Sequence, residues 1–173
     1  MGSQPTLERR PTLERRSTLE RKEASTITPG HLVVYEAGDG EVLVCLKAER
    51  EGKEYVHHYL IQLDPVPDAG HCLIYIDPEH VLVDCALRPD FTLNAAVGED
   101  RINRSDVGYI IETQAGVFLK VTEDPKMQKF CGFVDIKTGE IKRRQERGVI
   151  GFYPDWQADG DGIAHIRKTH AGL

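Results

Sequence analysis

Seven histidines, four cysteines and one tryptophan are the side chains of this 173-residue chain best suited to chemistry. His57, His58, His71 and His80 fall close together, with His31 further off. A metal centre needs three or four such ligands converging at about 2 Å, with carboxylates or carbonyls orienting the rings behind them. On a strand, His57 and His58 point to opposite faces, so only one of them can join a given site. No His-x-His pair occurs, and no carboxylate follows at a spacing that would complete a set. His57, His71 and His80 therefore stand as an incomplete candidate metal group, and the sequence specifies no metal and no cofactor.

Other reactive patterns are equally partial. Asp159-Gly160-Asp161-Gly162 has the look of a calcium loop, but Gln157 and Lys168 stand where that loop needs acids, so a turn is expected. No Gly-x-Ser-x-Gly is present, and Ser105 is the only serine after residue 30. Cys45, Cys72, Cys85 and Cys131 sit inside expected strands, far apart, with no CxxC pair. Cys72 and Cys85 read as small buried hydrophobes. No phosphate-binding glycine loop occurs. The segment Gly151-Phe152-Tyr153-Pro154-Asp155-Trp156 concentrates three of the twelve aromatic residues. Phe152 and Trp156, together with Tyr59, are the candidate walls of a ligand pocket. Lys137, Lys142, Arg143, Arg144 and Arg147 form a basic hairpin, whose charges suit a solvated edge strand.

These residues need a scaffold, and the pattern from His31 onward supplies one. Short apolar runs fall at 31–36, 41–48, 54–63, 72–76, 80–85, 91–97, 107–113, 117–122, 129–136, 140–145 and 149–153. Turn signals separate many of them: Gly38-Asp39-Gly40, Glu51-Gly52-Lys53, Gln114-Ala115-Gly116 and Lys137-Thr138-Gly139-Glu140. Period-two alternation places Val42, Val44 and Leu46 on one face, with Glu41, Leu43, Cys45 and Lys47 opposite. The expected fold is all-β, a sandwich or barrel of roughly 8–11 short, mostly antiparallel strands. Short helices are expected near 124–129 and 163–170.

The first 30 residues have a different character. Pro5-Thr6-Leu7-Glu8-Arg9-Arg10, Pro11-Thr12-Leu13-Glu14-Arg15-Arg16 and Ser17-Thr18-Leu19-Glu20-Arg21-Lys22 repeat one hexapeptide three times. Six residues turn a helix through about 600°, which scatters the leucines. In an extended segment, six is a multiple of two and of three, so Leu7, Leu13 and Leu19 face one way. One apolar side chain per repeat buries too little to offset ordering, and an extended or disordered arm is expected. Residues 23–30 read as a linker ending in a Pro-Gly turn. The division is therefore a basic arm and linker over 1–30 and one β-rich domain over 31–173.

Charge separates the two parts. Residues 1–22 hold six basic and three acidic side chains, a net +3 within a chain of net −6, which leaves −9 for the rest. An acidic body argues against a general nucleic-acid binder. No run approaches the ~20 apolar residues of a membrane span, and no apolar leader is apparent, so reduced thiols and a cytoplasmic setting are expected. The functional expectation is a non-enzymatic accessory or adaptor protein. Leu7, Leu13 and Leu19 would anchor it on a partner, while Arg9, Arg15 and Arg21 pair with acids on the partner's surface. Arginine pairs ahead of Thr12 and Ser17-Thr18 also fit basic-directed phosphorylation. The alternative is a β-barrel, enzymatic or not, that binds a small molecule or metal through His57, His71, His80 and Tyr59.

Overall fold

The fold is described by a computed structural model for residues 19–67, 70–103, 106–122, 131–160 and 166–168. Fourteen strands occur among the described residues. In chain order they are β1 (Glu20–Glu23), β2 (Leu32–Glu36), β3 (Val42–Glu51), β4 (Val56–Asp64), β5 (Leu73–Ile76), β6 (Val81–Asp84) and β7 (Asp90–Asn94). They continue with β8 (Ile110–Thr113), β9 (Gly116–Thr122), β10 (Cys131–Asp135), β11 (Ile141–Lys142), β12 (Val149–Tyr153), β13 (Asp155–Asp159) and β14 (Ile166–Lys168). The eleven expected runs correspond to β2–β12. β1, β13 and β14 are additional. Ile166–Lys168 pairs with β13, so this part of 163–170 is strand rather than helix. The other helix expected, near 124–129, lies outside the described residues, as do Asp161 and Gly162.

Three antiparallel sheets make an open, sandwich-like arrangement with no closed barrel. Sheet A runs β1-β6-β2-β3-β4-β5, sheet B runs β11-β10-β9-β8-β12, and sheet C runs β14-β13-β7. Alternation explains the main core. Leu32, Val34, Val44, Leu46, Tyr59 and Ile61 of sheet A face Ile110, Leu119, Val121 and Val134 of sheet B. Trp156 and Ala158 of sheet C close this layer, both fully buried.

Each large sheet also buries part of its outer face. On sheet A, Val33, Leu43, Cys45, Leu60 and Leu82 lie under Ala24 and Ile27. On sheet B, Ile111, Phe118, Phe133 and Phe152 lie under Ile102 and Tyr109. A backbone seam joins sheets A and B where β3 runs past the start of β2. There Gly30 N–H donates to Lys47 O at 2.8 Å, and Glu49 N–H donates to Gly139 O at 2.9 Å. Gly139 has φ +71°, and a Cβ there would stand 2.6 Å from Lys47 O and 2.8 Å from Pro29 C. Only glycine fits both the angle and the approach.

The packed structure begins at β1, earlier than the expected boundary at residue 31. Residues 23–30 are a covering corner and not a loose linker, because Ala24 is 0% and Ile27 1% exposed. The reason is an edge. Without β1, β6 would present an unpaired row of peptide groups to solvent.

Candidate functional site

The third hexapeptide is where repeat and body meet. Its Glu20, Arg21 and Lys22 pair antiparallel with Asp84, Val83 and Leu82, and Glu23 pairs with Val81. Ala24 N–H donates to His80 O at 2.8 Å. Antiparallel pairs alternate between bonded and non-bonded, so positions 20 and 22 bond to β6, while the peptide groups of 21 and 23 face outward. Glu20–Glu23 is extended, and the expectation that Leu7, Leu13 and Leu19 face one way falls mostly on residues outside those described.

Three side chains of the repeat hold it there. Leu19 packs half-buried on the rim of the inter-sheet core. Arg21, on the same side, reaches Glu36 of β2 at 3.7 Å, with both side chains well exposed. Lys22, on the other side, binds Asp84 at 3.2 Å. Asp84 is 3% exposed and also accepts from Ala86 N–H at 2.8 Å and lies 3.2 Å from His31 Nδ1. Burial alone would raise the Asp84 carboxyl. The Ala86 N–H, Lys22 and His31 outweigh it and hold its pKa below the usual value. The hydrogen bond to Asp84 in turn raises the Lys22 ammonium. Leu7, Arg9, Leu13 and Arg15, the equivalent positions of the first two copies, lie outside the described residues.

The described histidines do not converge. His57 stacks near Tyr55 at 5.0 Å, His80 near Tyr35 at 5.5 Å, and buried His71 against Trp156 at 5.5 Å. Among the described residues, no group of three or more His, Cys, Asp or Glu is placed to hold a metal ion. His58 instead joins a buried polar cluster that period-two reasoning does not reveal. Lys47 is 0% exposed, with Nζ 3.0 Å from Glu49 Oε1 and 3.0 Å from His58 Nδ1. Burial lowers the Lys47 ammonium, against the pull of Glu49. Burial and the Lys47 charge lower the His58 imidazole, against the pull of Glu49, which lies 3.4 Å from the same Nδ1.

The three expected pocket residues separate. Tyr59 is 7% exposed in the main core, with its hydroxyl accepting from Arg50 at 3.1 Å. Trp156 is fully buried, its Nε1–H donating to Gly108 O at 2.9 Å, and it packs at 5.6 Å from Phe91. It fills the sandwich interior. Phe152 lines a cavity of about 320 Å³ with Glu99, Ile102, Tyr109, Lys120 and Gln145. Lys120 was not marked by sequence reasoning. The available signal was a single cation inside the apolar run Val117-Phe118-Leu119-Lys120-Val121.

No helix among the described residues is long and apolar enough to cross a membrane. Comparison of the chain with protein-family models, with curated proteins and with solved structures finds no match.

Proposed function

We propose that this chain is a non-enzymatic accessory protein that captures partner proteins by lending them a strand. The partner presents an unpaired sheet edge, flanked by an apolar notch and two carboxylates. Recognition of this kind takes its affinity from main-chain hydrogen bonds and its selectivity from alternate side chains.

One observation supports the reading. The groups that seat the third copy on β6 are a leucine, an arginine two places on and a cation after that. Leu7-Glu8-Arg9-Arg10 and Leu13-Glu14-Arg15-Arg16 repeat the pattern, with arginine in place of Lys22. The chain's own β6 edge is already covered by the third copy. The first two copies therefore carry the chemistry for such an edge, while the β6 edge of their own domain is already taken. Two weak sites on one arm raise capture through local concentration, in the millimolar range for a short linker.

The test compares the intact chain with a variant carrying Leu7→Asp and Leu13→Asp, leaving Leu19 untouched. Captured proteins are identified by quantitative mass spectrometry, and the leading one is purified for a direct binding measurement. The expected result is at least a tenfold loss of affinity in the variant, from two leucine anchors removed. Equal binding of the purified partner to both chains would overturn the proposal.

A further inference from the structure

We infer that the outer edge of β1 is a docking site for a second copy of this chain, which lays one of its own first two hexapeptides along it as an antiparallel strand. The inference rests on the reading of the arm as a lent strand and names one partner for it. β1 is the terminal strand of sheet A, and among the described residues no strand pairs with its outer side. The register on β6 fixes what that side offers. Positions 20 and 22 bond inward, so the N–H and C=O of Arg21 and the N–H of Glu23 point away from the sheet. The Glu23 carbonyl accepts from the Thr26 hydroxyl at 2.8 Å, which caps the edge at this end. What remains is a short open edge centred on Arg21.

Charge decides which segment fits and in which direction. Side chains directly opposite one another attract when their charges differ and repel when they match. Laid parallel and in register, two hexapeptides would set Glu on Glu and Arg on Arg. Laid antiparallel, the second hexapeptide sets Glu14 on Arg21 and Arg15 on Glu20. Pro11 then lies opposite Ala24, where β1 has already ended, so its missing N–H costs no rung. The first hexapeptide fits the same way, with Glu8 on Arg21 and Arg9 on Glu20. Glu20 is accessible, its side chain 74% exposed with Lys22 at 3.5 Å. Arg21 keeps Glu36 at 3.7 Å, and the five donors of its guanidinium can serve a second carboxylate. A charged edge that only kept neighbours away would not need to complement the chain's own tail.

The occupant comes from a second molecule because folding back is disfavoured. In this register the second hexapeptide of the same chain would have to reverse over Ser17-Thr18 alone, and two-residue hairpin turns call for Gly, Asn or Asp at positive φ. The first would have to hold residues 11–18 as a closed loop, at an entropic cost. Two molecules avoid both by exchanging arms, each edge taking the other's strand, which closes the pair with two-fold symmetry.

Two variants of the full-length chain test this by complementation. One reverses the arm, with Arg9→Glu and Arg15→Glu. The other reverses the edge, with Glu20→Arg at an exposed position. Sedimentation velocity runs from about 10 µM to 1 mM, the span in which a short lent strand should associate. The wild-type mass should rise towards that of a dimer. Each variant alone sets like charges opposite, and should associate at least about fivefold more weakly. An equal mixture of the two restores opposite charges at every contact between unlike chains, and should regain wild-type association. A wild-type mass that ignores concentration, association that both variants retain, or a mixture no stronger than its parts would overturn the inference. So would protection of the Arg21 amide from hydrogen exchange that survives dilution yet is lost in the arm variant, because the occupant would then be the chain's own arm. Capture of other proteins, read with Leu7→Asp and Leu13→Asp, can persist when self-association fails, so the two failures are distinguishable.

Discussion

Replacing Asp84 should loosen β1 and destabilise the whole sandwich. This carboxylate accepts from Ala86 N–H and pairs with Lys22 and His31, at 2.8, 3.2 and 3.2 Å. A hydrogen bond involving a charged group contributes about 1.5–3 kcal/mol. Lys22 is about one-third exposed, so its share is discounted for solvent screening. Asp84→Ala should then cost about 3 kcal/mol. Asp84→Asn retains an acceptor for Ala86 N–H and loses the charge, for about half of that. The assay is urea unfolding followed by the fluorescence of Trp156, the only tryptophan. Amide exchange at Lys22 reports the release of β1 separately. The pH dependence supplies the sign. A carboxyl whose folded pKa is depressed adds stability above its unfolded pKa, about 3.9, and loses it as pH falls through the lower folded value. Wild type should lose this increment in strong acid, and Asp84→Asn should not. A cost for Asp84→Ala below about 0.5 kcal/mol, or an unchanged acid slope in Asp84→Asn, would refute the reasoning.

Three further outcomes are expected. Gly139→Ala should cost more than about 3 kcal/mol through clash and a strained φ, while Gly38→Ala, with open space around it, should stay within about 0.5 kcal/mol; thermal unfolding compares them. Burial lowers the folded pKa of His58 below its unfolded value of about 6.5, so stability should fall as pH drops below 6.5 toward the folded pKa. His58→Gln should flatten that limb of a pH series of urea titrations, a window well above that of Asp84. Burial pushes the Cys45 thiol to about 12, so iodoacetamide at mild alkaline pH should leave Cys45 unmodified in the folded chain and alkylate it in urea, as peptide mass mapping will read.

The body was legible because its signals are local. All four glycine-containing turns named from sequence connect strands that pair as neighbours: β2–β3, β3–β4, β8–β9 and β10–β11. The faces of β3 followed the alternation, with Val44 and Leu46 in the main core. What alternation cannot supply is a cover on the second face. Lys47 stands at a position that reads as solvent, yet the corner at Gly30 and the turn at Gly139 close over its strand. Leu43 and Cys45 are buried for the same kind of reason, beneath Ala24 and Ile27. The seat of the third hexapeptide was likewise hidden, since nothing in Leu19–Glu23 says that β6, sixty residues on, lacks a neighbour. The cavity depended on side chains from four distant segments, and Phe152 was the one member whose aromatic context gave it away.

The direction in which β1 lies has a mechanical consequence. It runs antiparallel to β6 with Glu20 opposite Asp84 at its leading end, so tension that draws this end away from β6 would load the ladder one rung at a time. Such peeling gives way at low force, unlike shearing, which strains all rungs together. A captured partner pulling on residues 5–16 would strip Glu20 first and Glu23 last. The load would then reach Ala24, sealed against the outer face of sheet A, while the remaining strands stayed clasped. Under such a pull the third copy would act as a fuse, a sacrificial length of chain between the outside and the interior.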